Sequence, residues 1–352
     1  MIEIMNAFYI KIILKCKKKS NEINYIYILI SLKIIIIGIL YFLLSTNKRE
    51  NYIFNEKINL KFIKSQNDFC ENKRKTFNYS LYMNKIQLVK ASINDINFNM
   101  YIYKEKDTVS SYIRKNQNWE KKETNIIIEA LNFYTKKNNI RNKNAYVVDI
   151  GANIGWYTLI IGKLGFNVLA FEPSNVNYFI LNKNYCLNKN INITLINKGL
   201  FTEEIVCDLY APLRNEGNGF AYCNKNYKIP NEFSKKIGEI KLSKLQKYIP
   251  FLSKRNLILI KIDAEGSEGK AFKGGIEIIT KYHVPFIFME FNPILLKDHG
   301  TEPTQFLKMF INNGYKISIN GFLSKKYISP DDKILFKTPR INIYIIYEKV
   351  FE

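Results

Sequence analysis

The stretch YVVDIGANIGWYT, residues 146–158, carries the first spacing that chemistry needs. An apolar run ends in Asp149, and Gly151, Asn153 and Gly155 follow in a loop that opens an apolar-periodic segment. That order is the entrance of a nucleotide-binding βα unit, whose turn brings backbone close to a ligand. Glu172 ends the next apolar run, 21 residues after Gly151, where a carboxylate accepts from both hydroxyls of a ribose. A second group, Lys261, Asp263, Glu265 and Glu268, closes and follows a continuous apolar run that starts at Leu257. Asp263 stands at the strand's carboxyl end and is the first choice for a general base or for orienting an acceptor. Glu265 and Glu268 could assist it, share a divalent metal such as magnesium, or simply be acids at a helix N-terminus. Lys261 either pairs with an acid across the site or caps the strand end. The chain has two histidines. His299 follows the fifth strand on its carboxyl side and is a candidate base, whereas His283 precedes that strand and belongs to the opposite edge.

The loop discriminates among cofactors. A dinucleotide site wants a second glycine where Asn153 stands, because a side chain there crowds a pyrophosphate. S-adenosylmethionine has no pyrophosphate, so the loop suits it better. No GK[ST] follows, which excludes a phosphate-binding Walker loop. Asp149 would set a negative group near the cofactor's ammonium, or else serve as a helix-capping acid.

These residues need elements to hold them. From residue 146 the pattern alternates strand and helix: strands at 146–150, 167–171, 191–196, 257–262 and 285–291, with helices at 154–164, 175–187 and 304–312 between and after them. A further helix runs from the fourth strand to about residue 280, and terminal strands fit 315–319 and 341–347. The expected class is α/β, with an open, doubly wound, mostly parallel Rossmann-like sheet and ligands at the carboxyl ends of its strands. Ahead of it, KIQLVKA and INFNMYIY read as an antiparallel pair, and residues 123–134 as a helix with Thr124 as its cap. The stretch between the strands at 191–196 and 257–262, rich in Asn and Gly, reads as irregular.

The 352 residues carry a net charge of +22, which would suggest nucleic acid, but Lys, Asn, Ile and Tyr are abundant throughout and the charge follows composition. Five cysteines show neither metal-site spacing nor a dense disulfide framework. Residues 1–22 form a basic tail, 23–46 a transmembrane helix, 47–84 a stem and 85–352 the catalytic domain, its cofactor-binding core starting near 145. Lys33 costs the span about 2.5 to 3.5 kcal/mol, but its Ile, Leu and Phe residues each return roughly 0.3 to 0.6. Lys15, Lys17, Lys18 and Lys19 outweigh Lys48 and Arg49, which favours a cytosolic N-terminus and a lumenal catalytic domain in the endomembrane system. Asn78 and Asn192 begin glycosylation sequons.

The motifs D-x-GAN-x-G, FEP and KID-x-EG-x-E occur in that order, within VVDIGANIGWYTLIIGKLGFNVLAFEPSNVNYFILNKNYCLN and LILIKIDAEGSEGKAFKGG, and FIFMEFNP follows. Together they resemble the FkbM-type S-adenosylmethionine-dependent methyltransferases, over roughly residues 85–347. The resemblance implies a class I methyltransferase fold and transfer of a methyl to a hydroxyl oxygen of a sugar or other small polar acceptor. Asp149, Gly151, Asn153 and Gly155 match the family's cofactor loop, and Glu172 its ribose-binding acid. Lys261, Asp263, Glu265 and Glu268 match its second signature, and Glu290 the acid closing the fifth strand. Ser243 departs from the pattern, since relatives commonly carry Asp there. Residues 107–120 match a region ahead of the catalytic fold, with Trp119 as a possible cover for the site.

The leading expectation is a membrane-anchored O-methyltransferase acting on a glycan or small polar molecule. A nucleic-acid methyltransferase rests on net charge alone. A catalytically silent, anchored binding module would bind no cofactor, and a nicotinamide oxidoreductase is opposed by Asn153.

Overall fold

In the computed structural model the described residues are Gln66, Cys70, 80–223 and 234–352. The basic tail, the span at 23–46 and nearly all of the stem lie outside them, as does Asn78. Among the described residues no helix is long and apolar enough to cross a membrane.

The chain enters the described fold through an antiparallel hairpin, β1 (Ile86–Ile93) and β2 (Ile96–Tyr103). Helices α1 (Thr108–Asn116) and α2 (Lys121–Lys137) lead to β3 (Ala145–Ile150), α3 (Trp156–Lys163), β4 (Asn167–Phe171), α4 (Asn175–Leu187) and β5 (Asn192–Ile196). Four strands follow where irregular chain was expected: β6 (Gly199–Phe201), β7 (Ile205–Pro212), β8 (Phe220–Tyr222) and β9 (Ser234–Lys244). The alternation then resumes with β10 (Asn256–Ile262), α5 (Glu268–Lys273), α6 (Glu277–Thr280), β11 (Phe286–Phe291), α7 (Pro293–Asp298), α8 (Pro303–Ile311), β12 (Tyr315–Ser318) and β13 (Ile341–Tyr347).

The main sheet has the order β12-β13-β11-β10-β3-β4-β5. Pairings from β5 through β11 are parallel, and β13 runs antiparallel to both neighbours. Its central strands are apolar on both faces, as helices covering both sides require: Val147, Val148, Leu259, Ile260, Phe286 and Ile287 are fully buried. The order reverses beside β3, where the chain leaves β3 towards β4 on one side and β10 lies on the other. Ligands of open α/β sheets bind at such a switch point.

Three local readings need correction. Helix α2 begins at Lys121, with Glu120 in the cap position, while Thr124 lies inside it, accepting from Trp156 Nε1 at 3.0 Å. Helix α3 begins at Trp156 and not 154, because Asn153 (φ 51°) and Gly155 (φ 99°) hold the loop left-handed. The expected long helix after β10 is broken into α5 and α6 at Gly274 and Gly275, residues with little helical propensity.

The four-stranded sheet, ordered β6-β9-β7-β8, packs its own small core of Phe201, Cys207, Leu209, Ile240 and Leu242. A disulfide between Cys207 and Cys223 ties β7 to the end of β8, and a second joins Cys70 to Cys186 at the end of α4. The fully buried Asn184 of α4 fixes the hairpin to the catalytic loop, since its Nδ2 donates to Tyr101 O at 2.9 Å and Ile154 O at 2.8 Å.

Candidate functional site

The loop after β3 is shaped by backbone contacts. Gly151 (φ 73°) and Ala152 both donate to Phe171 O, at 2.9 and 3.0 Å, which folds the turn over the end of β4. A Cβ on Gly151 would stand 1.8 Å from the carbonyl oxygen of Asp263, so only glycine lets the loop meet the end of β10. Lys261 locks the junction from beneath: its Nζ donates to Gly151 O at 2.8 Å and lies 3.5 Å from Asp149 and 3.9 Å from Asp263. Burial pulls the Lys261 ammonium down, but Asp149, Asp263, Glu120 and Glu172 outweigh it, and its pKa lies above the usual lysine value. Asp149 is fully buried, accepts from Thr158 Oγ1 at 2.5 Å and lines neither cavity described below.

Two cavities flank this loop. The first is a cleft with about 680 Å³ of empty space, part of it open to solvent. One wall is apolar, formed by Leu200, Leu209, Ala221, Ile240 and Leu242 from the small sheet; the other carries Glu172, Ser174 and Asn177. Glu172 is aimed by the backbone, for Asn153 N and Ser174 N each donate to one of its oxygens at 2.8 Å. Burial pushes its carboxyl up to about 7 against the pull of those amides. Nearby, the Oδ1 of Asn153 is buried without a hydrogen-bond partner among the described residues.

The second cavity, about 780 Å³, is rich in acid: Asp107, Glu120, Asp263, Glu265 and Glu290 line it with Trp119, Tyr157, Lys261 and Arg340. Residues 107–120, singled out in the sequence, thus form a wall of it. Glu120 accepts from Tyr157 OH at 2.6 Å, and Glu290 lies 3.6 Å from the Arg340 guanidinium. Burial raises all three of Glu120, Glu265 and Glu290; Asp263 adds to it, and Glu290 reaches about 7 while Glu265 goes well above the usual carboxylate range. Acids held near neutrality can both donate and accept hydrogen bonds at pH 7. Three non-glycine residues of these walls, Glu120 (φ 41°), Asn153 (φ 51°) and Glu265 (φ 49°), sit in the left-handed region, at a cost of about 1–2 kcal/mol each. Nothing in the sequence marked Glu120, which lies more than a hundred residues from Asp263; only the match of the region around it pointed there.

Both cavities are lined by Gly151, Asn153, Asn218, Asp263 and Glu265, so they meet at the ends of β3 and β10. The other residues expected at the site stand behind it. Glu268 is buried, accepts from Ala264 N at 2.8 Å and Gly266 N at 3.3 Å, and shapes the turn after β10; burial pushes it up to about 7. His299 is buried at the end of α7, its Nδ1 3.3 Å from Ser267 Oγ, with its pKa lowered by burial, and it lines neither cavity. Among the described residues no three His, Cys, Asp or Glu side chains are disposed to hold a metal ion.

The residues of the first cavity fit S-adenosylmethionine: a glycine turn with no room for a Cβ, a backbone-held carboxylate, an orphan amide oxygen and an apolar wall. Solved structures that align with the chain include the bifunctional kinase-methyltransferase WbdD, at 8% identity and a TM-score of 0.39, covering 68% of this chain and 42% of that one. The chain therefore spans less than half the length of WbdD. A SAM-dependent methyltransferase from Agrobacterium tumefaciens aligns at 8% identity and TM-score 0.38, over 74% of this chain and 70% of its own. The T. thermophilus 16S rRNA N2 G1207 methyltransferase, solved with AdoMet and guanosine, aligns at 10% and 0.35, over 74% and 50%. No curated protein matches the chain. The family model of the methyltransferase FkbM domain matches residues 149–317, the span that contains the glycine loop, Glu172 and Asp263.

Proposed function

We propose that the chain is a membrane-anchored O-methyltransferase that methylates a hydroxyl of a neutral glycan or small polyol. The observation that carries this reading is the meeting of two cavities at Asp263, one suited to the methyl donor and one lined with hydrogen-bonding acids. S-adenosylmethionine supplies an electrophilic methyl on a sulfonium. Glu172 would accept from the ribose hydroxyls, the Leu209, Ile240 and Leu242 wall would cover the adenine, and Asn153 Oδ1 would accept from the ammonium. Asp263, at the seam and partly exposed, orients the acceptor oxygen, and Lys261 keeps the Gly151 carbonyl and Asp263 in register. Positioning of this kind is what an in-line displacement needs from a protein.

The acid-rich second cavity speaks against a phosphate-bearing acceptor. Its two cations already face carboxylates, Lys261 with Asp149 and Asp263, and Arg340 with Glu290. A nucleic-acid enzyme needs free Lys and Arg along the phosphate track. The anchor is residues 23–46. A lumenal placement is supported by the two disulfides, which persist in oxidising compartments. In sealed membranes a carboxyl-terminal tag should resist protease until detergent is added; digestion without detergent overturns that placement.

Calorimetric titration of the full-length chain tests the donor site. S-adenosylmethionine should bind with micromolar affinity and NADH should not. Glu172→Ala should weaken the former at least tenfold, since it removes two hydrogen bonds to a charged group. Absence of binding by the wild type would shift the reading to a silent binding module.

A further inference from the structure

Building on the O-methyltransferase reading, we infer that Glu120 is the general base that takes the proton of the acceptor hydroxyl. Glu120 occupies the cap position of α2, yet its side chain makes no bond to the helix's first turn. It turns instead into the second cavity, with a left-handed backbone, and its Oε2 accepts from Tyr157 OH at 2.6 Å. Among the described residues Tyr157 is the side chain's one hydrogen-bond partner, which leaves Oε1 for the acceptor.

The other acids of this cavity are placed differently. Asp107 caps α1 through Ser110 N at 2.7 Å, Asp263 faces the Lys261 ammonium and Glu290 faces Arg340. Glu265 is hemmed in by Asp263, Glu290 and Glu268. Glu120 is held by a neutral donor. The charged and titratable groups around it are Tyr157 on α3, Lys261 on β10 and Asp263 just past its end, Glu290 on β11, Tyr344 on β13 and Glu123 on its own helix. Burial raises its basicity, and the Tyr157 hydrogen bond moderates that.

In the step, the acceptor oxygen forms a bond to the methyl carbon while its proton passes to Glu120 Oε1. The carbon–sulfur pair stays on sulfur as S-adenosylhomocysteine leaves. The sulfonium's positive charge and the carboxylate's negative charge disappear together, so the step leaves no new charge in the cavity.

The test uses the full-length chain, tritiated S-adenosylmethionine and four probes: the methyl glycosides of glucose, galactose, mannose and fucose. Glu120→Gln should lower kcat by roughly 10²–10⁴-fold on whichever probe the wild type methylates. Its calorimetric affinity for S-adenosylmethionine should stay within twofold of wild type, which also shows that the variant folds. Tyr157→Phe removes a donor to the carboxylate, so the acid limb of its kcat/KM profile should move to higher pH, whatever its effect on the maximal rate. A Glu120→Gln rate within threefold of wild type, or an unmoved acid limb in Tyr157→Phe, overturns the assignment and leaves the methyltransferase reading standing. A wild type that binds S-adenosylmethionine but methylates none of the probes overturns the hydroxyl-acceptor reading and this assignment together.

Discussion

The two cavities share one loop but are built in different ways. The first draws its lining from residues 150–267, and Glu172, the acid it does not share with the second, is aimed by two backbone amides. The second gathers side chains from residues 107–120, from α3, from the ends of β10 and β11, and from the start of β13. A ligand of fixed shape can be gripped by loop geometry and a single carboxylate. A variable acceptor needs side chains, and these come from whichever segments border the sheet's carboxyl edge. The difference says which substitutions should strike donor binding and which should strike only transfer.

The largest effect should come from the loop itself. Gly151→Ala puts a methyl against the backbone oxygen of Asp263, which no rotamer change can relieve. Donor affinity should fall more than a hundredfold, with the fold destabilised by at least about 3 kcal/mol. Gly165 is the control: it too has a positive φ (86°), but its added Cβ would meet nothing nearer than Asn142 at 3.8 Å. Gly165→Ala should cost only about 1–2 kcal/mol of left-handed strain and leave donor binding unchanged. Equal effects at the two glycines would mean that conformation, not close approach, governs the first cavity.

A middle-sized effect should follow pH. Glu172 is pushed up to about 7 by burial, and ribose hydroxyls donate to its ionised form. Affinity for S-adenosylmethionine should therefore rise about tenfold from pH 6 to pH 8 and flatten above, and Glu172→Gln should abolish the rise. The unliganded chain should move the other way. A carboxyl whose pKa is raised on folding binds its proton more tightly in the native state, so its stabilising contribution is full below about 4.5 and lost as pH climbs to about 7. Calorimetry for the first trend and thermal unfolding for the second would show both.

The same contrast explains what could be read before the structure. Val147 to Phe171 alternates strand, glycine turn and helix within a short stretch, and strands β4 and β13 and helix α4 follow runs of apolar periodicity that no distant contact need decide. The bounds of β4, α4 and β13 are those the pattern implied. Glu172 was legible because its distance from Gly151 is set by one βα unit. Glu120 was not, because its place depends on how α1 settles against the hairpin and α2 against β10, and its left-handed backbone goes against the preference of a glutamate. The small sheet was hidden for another reason. β6 and β8 are three residues each, β9 is largely Lys, Ser and Glu, and the hydrophobic side of the sheet faces a cavity rather than a continuous core. His299 illustrates the reverse error: its position along the chain put it on the functional edge, while packing against Ser267 took it out of both cavities.

The smallest effect should belong to that small sheet, and it sharpens the comparison at its weakest point. Leu209 on β7 and Ala221 on β8 form part of the donor cavity's apolar wall, and β8 is held to β7 by three residue pairs and the Cys207–Cys223 disulfide. Removing the disulfide leaves β7 paired to β9 along its length, so Leu209 stays in place while Ala221 loses its tether. Cys207→Ala with Cys223→Ala should therefore weaken S-adenosylmethionine about two- to fivefold, a loss of roughly 0.4–1 kcal/mol. The paired substitution Cys70→Ala with Cys186→Ala removes the other disulfide, which touches neither cavity, and should leave donor affinity unchanged. If both pairs weakened binding alike, the wall would be answering to the stability of the whole domain. A loss confined to Cys207 and Cys223 would mean that the apolar wall is a separate, locally braced part of the donor site.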